Sequence, residues 1–78
     1  MNVTPEANCG YTAARTGSTC NDFLYSSPCW YAYELGAHMA KSGMSAPRNV
    51  RTGRGSKMHA NDMQFKHLAG QNKWERIA

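Results

Sequence analysis

Asn61-Asp62-Met63-Gln64-Phe65-Lys66-His67-Leu68-Ala69-Gly70 admits two readings. As a helix, it takes Asn61 as N-cap with Gln64 three residues on, runs from about Asp62 to Ala69 and stops at Gly70. As a strand, it uses the alternation of Met63, Phe65 and His67 with polar neighbours. Either way the C-terminal element is short. Beyond it, Trp74 and Ile77 are two apolar anchors that staple the C-terminus to the core.

Upstream, residues 42–56 show no hydrophobic period and are punctuated by Gly, Ser and Pro, so they read as a linker or extended arm. Arg48, Arg51, Arg54 and Lys57 fall at every third position of this region. In an extended arm with three residues per turn, that spacing aligns all four cations on one edge, where they meet successive phosphates. Arginine suits this task because its planar fork grips phosphate in two places. Gly53 and Gly55 flank Arg54 and let the backbone approach a nucleic-acid surface closely. His59, Lys66 and His67 extend the same footprint.

The first half is helical. Thr4 as N-cap with Pro5 after it opens a helix over about 5–16, and Gly17 supplies the left-handed stop. Val3, Ala7, Tyr11 and Ala14 form its apolar stripe. Residues 17–27 read as a loop whose Phe23 and Tyr25 plug the open end of the hairpin. Ser27 and Pro28 open a second helix over about 28–42, closed by Gly43. Its polar groups Glu34, His38 and Lys41 make one narrow stripe, and the small face Ala32, Gly36, Met39, Gly43 lies opposite. The first helix, with Gly10, Ala14 and Gly17, is the natural antiparallel neighbour. Trp30, Tyr31, Tyr33, Leu35 and Ala37 then need further cover, from the second half of the chain, from another protein, or from both.

These elements add up to a mainly α chain: a helical hairpin body at 1–44 and, at 45–78, an extended basic arm with a short helix or strand. Seventy-eight residues allow one domain with a marginal core. Eight aromatics and five Met argue against full disorder. No run reaches the roughly 18 apolar residues of a membrane span, and the start has no secretory pattern, so a cytoplasmic location is expected. The net charge of +4 is divided unevenly. Residues 1–40 carry Arg15 against Glu6, Asp22 and Glu34, a net of −2. Residues 41–78 carry Lys41, Arg48, Arg51, Arg54, Lys57, Lys66, Lys73 and Arg76 against Asp62 and Glu75, a net of +6. That asymmetry points to a polyanion or an acidic protein surface as partner.

Cys9, Cys20 and Cys29 are odd in number and widely spaced, which disfavours a disulfide framework. A zinc site adding His38 lacks any C-x2-C or H-x3-5-H grip, and Cys29 and His38 face opposite ways on one helix, about 180° apart. No metal or cofactor is expected. G-x-S-x-G, Walker, H-E-x-x-H and paired-carboxylate patterns are also missing, so neither an enzyme nor a small-molecule substrate is expected.

Gly10-Tyr11-x-Ala13-x-x-x-Gly17, the polar stretch Cys20-Asn21-Asp22-Phe23 and the helix motif Tyr33-x-x-Gly36 resemble the ribosome modulation factor family and its small phage and plasmid relatives. The resemblance covers about residues 9–40, with Tyr33 standing where that family carries tryptophan. It implies a two-helix body with ribosomal RNA as partner.

The expected function is a non-enzymatic binder of RNA or a ribonucleoprotein surface, through Arg48, Arg51, Arg54, Lys57 and Lys66. The alternative is a phage- or mobile-element-type protein that docks on a protein assembly, such as a virion component or a host complex that it inhibits. That alternative uses Trp30, Tyr31, Tyr33 and Trp74, and self-association falls under it.

Overall fold

The computed structural model describes residues 2–53, 57–68 and 73–77. Helix α1 spans Thr4–Thr16 and helix α2 Pro28–Lys41. Both carry proline in the first turn, where its missing N–H costs nothing. At α2 the Ser27 hydroxyl accepts from the Trp30 N–H at 3.1 Å, as the sequence implies for an N-cap. At α1 the capping differs from expectation. Asn2 Oδ1, not Thr4, accepts from the Thr4 N–H at 3.0 Å, and the Thr4 hydroxyl accepts from the Val50 N–H at 2.9 Å. The group expected to cap the helix therefore ties its first turn to the second half of the chain.

The two helices cross at glycine. A Cβ on Gly10 would run into the backbone carbonyl of Tyr33, and one on Gly36 into that of Ala7. Such close approach needs the small face that the sequence displays on α2.

The second half is a sheet. Strands β1 (Arg51–Thr52), β2 (Lys57–Ala60), β3 (Met63–Leu68) and β4 (Lys73–Arg76) form an antiparallel meander in the order β1-β2-β3-β4. The chain is thus α+β, not mainly α; one further expectation is corrected and one open reading is decided. First, there is no extended arm with its cations on one edge. Arg51 pairs with His59 and Thr52 with Met58, and the Gly53 N–H donates to the Lys57 carbonyl at 2.9 Å, so the chain doubles back. Arg54 and Gly55 lie outside the described residues. Second, of the two readings open for this segment the strand holds, over Met63–Leu68; Ala69 and Gly70, the end of the helix reading, lie outside the described residues.

The physical reason lies at Asn61-Asp62. Both hold a left-handed backbone, φ 54° and 63°, between the paired residues Ala60 and Met63. Two consecutive residues with positive φ make the tight turn whose twist matches a β-hairpin, and Asn and Asp tolerate it best after glycine. The Asn61 side chain, expected to cap a helix, is committed elsewhere. Its Oδ1 accepts from the Arg48 N–H at 2.6 Å, and its Nδ2 donates to the carbonyls of Ala46 at 3.2 Å and Ser45 at 3.4 Å. Beyond the turn, Phe65 and His67 are buried and Lys66 is exposed, the period of two that a half-covered strand requires.

Asn61 therefore clamps the crossover segment 45–48 to the hairpin turn. Asn61→Ala removes the side-chain bonds and strains the turn, an expected loss of about 2 to 3 kcal/mol in urea unfolding. Asn61→Gly restores the backbone and should recover about 1 kcal/mol of that loss. Native stability in Asn61→Ala would contradict the clamp.

The helices cover one face of the sheet. Val3 and Ala7 from the first helix and its lead-in, Ala32, Leu35 and Met39 from the second, and Val50, Met58, Ala60, Phe65 and Trp74 from the second half form one core. Body and arm are thus parts of a single packed unit. Residues 2–3 add to it as a short edge: the Val3 N–H donates to the Val50 carbonyl at 2.9 Å, and Asn2 bridges to Arg51.

Candidate nucleic-acid interface

Register decides which residues face away from the helices. Met58, Ala60, Phe65, His67 and Trp74 point inward and are buried. By alternation their neighbours point outward. Arg51, His59 and Gln64 lie side by side across β1, β2 and β3. Lys57, Lys66 and Glu75 make a second row across β2, β3 and β4, and Leu68 and Lys73 a third. The outer face therefore carries Arg51, Lys57, Lys66 and Lys73 with two carboxylates, Glu75 on β4 and Asp62 at the turn between β2 and β3. No ion pair links these cations to another described residue.

Lys57 and Lys66 stand directly opposite each other. Cross-strand partners have Cβ atoms about 4.5 to 5.5 Å apart, and like charges at that distance destabilise the pair. Glu75, on the far side of Lys66, offsets part of the repulsion, but Lys57 has no acidic cross-strand neighbour.

The five expected cationic residues meet different fates. Arg51, Lys57 and Lys66 come together on the outer face. Arg48 is exposed at the turn end, with its backbone N–H on Asn61. Arg54 lies outside the described residues. His59 joins the face, whereas His67 is on the inner side and buried among Trp30, Tyr31 and Trp74, at ring separations of 5.6, 5.4 and 5.0 Å.

That cluster also locates the aromatic residues expected at a protein interface. Trp30 and Tyr31 are half-buried against the inner face of β3 and β4, and Trp74 is buried opposite them. Tyr33 is buried on another side of α2, where its hydroxyl accepts from the Cys20 N–H at 3.0 Å and its ring meets Phe23 at 6.3 Å. The second half of the chain thus supplies much of the cover these residues require.

A shallow depression of about 440 Å³ opens on the outer face, lined by Asn49, Arg51, His59, Asp62 and Gln64. Asn49, at φ 50°, and Asp62 are both left-handed, so two of its five walls are set by uncommon backbone conformations. A second depression lies at the edge of the sheet between Glu34, His38, Lys41, Lys73 and Trp74, so Lys73, on edge strand β4, borders both the outer face and α2. There burial, helped by the Lys41 charge, holds the His38 imidazole below its ordinary value, which disfavours its cation.

The thiols of Cys20 and Cys29 are not activated. A hydrogen bond to Asp22, with that residue's charge, raises Cys20, and burial, with a hydrogen bond to Glu6, raises Cys29. Both stay protonated at neutral pH. Among the described residues no group of three or more His, Cys, Asp or Glu is placed to hold a metal ion, and no helix is long and apolar enough to cross a membrane.

The sequence reading missed Lys73, Gln64, Asn49 and Asp62. The available signal was the alternation of Lys57, His59, Gln64 and Lys66 with Met58, Ala60, Met63 and Phe65 about the Asn61-Asp62 turn, which assigns one face to polar side chains. Comparisons with family models, curated proteins and solved structures find no match to this chain.

Proposed function

We propose that the chain is a non-enzymatic binder of structured RNA, such as the RNA surface of a ribonucleoprotein, through the outer face of its sheet. The observation that carries this reading is the placing of Arg51, Lys57, Lys66 and Lys73 on one open face, with Lys57 set against Lys66. A sheet gains nothing for its own stability from two facing lysines; a row of phosphates turns their repulsion into attraction. Among the described residues no Phe, Tyr or Trp stands on this face, so contact runs through the sugar-phosphate backbone and not through base stacking. A flat, cationic sheet suits the wide, shallow minor groove of A-form RNA better than the grooves of B-DNA, which admit a helix or a ribbon.

Lys57→Glu tests the reading because fold and function should move in opposite directions. The substitution replaces a like-charge pair with an opposite-charge pair, so the melting temperature is expected to rise by a few degrees. Affinity for a folded RNA hairpin at 50 mM salt is expected to fall roughly tenfold. An unchanged affinity would overturn the assignment of this face.

A second reading, docking on a protein assembly, is favoured by the loop between the helices. Leu24 is 80% and Tyr25 67% exposed, although Tyr25 also packs on Trp30 at 4.7 Å. If this reading holds, Leu24→Asp abolishes capture of the partner protein and salt does not.

A further inference from the structure

Resting on the RNA reading of the outer face, we infer that the depression between Asn49, Arg51, His59, Asp62 and Gln64 receives one unpaired guanine and gives the protein a base preference. Four of its five side chains are able to donate hydrogen bonds, and the fifth, Asp62, is an acceptor-only carboxylate when ionised. Asp62 forms no ion pair with another described residue, so its two oxygens are not committed to a cation. On a phosphate-binding face a carboxylate opposes the general charge, and an exposed one at the turn offers its oxygens to a different ligand atom.

Guanine supplies that atom pair. Its Watson–Crick edge presents two adjacent donors, N1–H and the N2 amino group, which match two carboxylate oxygens. Adenine and cytosine each present an acceptor beside their amino group, and uracil has a single ring N–H between two carbonyls. The O6 and N7 acceptors of guanine then fall to the donors Arg51, Gln64, His59 and Asn49, with arginine the most frequent partner of that edge. The depression, about 440 Å³, lies in the size range of pockets that take small planar ligands. Its walls are also fixed in advance. The left-handed residues Asn49 and Asp62 flank the Arg51–His59–Gln64 row, and Asn61 bonds the segment before Asn49 to the turn that holds Asp62. Sequence-specific RNA recognition generally targets unpaired bases in loops and bulges, which places the target guanine next to a helical stem held by the lysines.

The test uses the full chain and a set of RNA hairpins with identical stems and one bulged base: guanine, inosine, adenine or uracil. Affinities are measured by fluorescence anisotropy at several salt concentrations, for the native protein and for Asp62→Asn, which keeps a residue that tolerates the left-handed turn. The expected result is that guanine binds about tenfold more tightly than adenine or inosine, which lacks the N2 amino group. Asp62→Asn should remove that preference while leaving the salt dependence unchanged. Equal affinity for all four hairpins overturns the guanine pocket and leaves the RNA reading standing, as does a preference that survives in Asp62→Asn. Failure of every hairpin to bind at low salt overturns both.

Discussion

Gly36→Ala is expected to lower the melting temperature by about 10 °C or more, and Gly10→Ala to do the same. Helix propensity alone predicts the opposite, since alanine in a helix interior is about 1 kcal/mol better than glycine. Packing decides the sign. The new methyl group at residue 36 would overlap the Ala7 carbonyl, and at residue 10 the Tyr33 carbonyl. Both obstacles are backbone, which cannot rotate aside, so the helices must separate. Separation loosens Ala7, Ala32, Leu35 and Met39, all at the centre of the core. Overpacking of this kind costs about 1 to 3 kcal/mol and more where the obstacle is rigid. A chain of this length has roughly 4 to 12 kcal/mol of stability in total, so Gly10→Ala with Gly36→Ala is expected to leave no cooperative unfolding transition. Native-like melting of the double variant would show that the helices do not cross at this point.

Replacing Arg51, Lys57, Lys66 and Lys73 together with alanine is expected to weaken binding to a folded RNA hairpin on the order of 100-fold at 50 mM salt. The four residues reach the outer face from four strands. None forms an ion pair with another described residue, and all four are exposed, so their truncation leaves the core intact. The fold should therefore survive, with melting unchanged or slightly raised as the Lys57–Lys66 repulsion disappears. This combination separates the two functional readings. A loss of RNA affinity in a stable variant supports the charged face, whereas a protein partner held by Leu24 and Tyr25 would be indifferent to the change.

The helices were readable from the chain because their signals are local: Pro5 and Pro28 in first turns, Gly17 and Gly43 at the ends, and Gly10 and Gly36 among small residues. The sheet was harder to read because its strands are short and its decisive turn is Asn61-Asp62, without the glycine that usually marks a hairpin. Asn61 followed by Gln64 mimics a helix start, and only the long-range bonds to Ser45, Ala46 and Arg48 show what Asn61 does. A similar ambiguity governed the cations. Their spacing in sequence suggested one edge of an arm, but the pairing of Arg51 with His59 and of Lys57 with Lys66 spreads them over a face and adds Lys73 to the expected Lys66. The aromatic residues of α2 were recognised as needing cover, but which part of the chain supplied it depended on strand register. Trp74 and His67 reach Trp30 and Tyr31 only because they are paired across β3 and β4 and face inward.

An outer face that holds RNA by its phosphates gives affinity for a folded RNA hairpin a steep salt dependence. Four cations displacing counterions predict a slope of about −3 in log affinity against log salt, falling towards zero when Arg51, Lys57, Lys66 and Lys73 are replaced by alanine. A native affinity indifferent to salt, or a slope that the four substitutions leave unchanged, would contradict it.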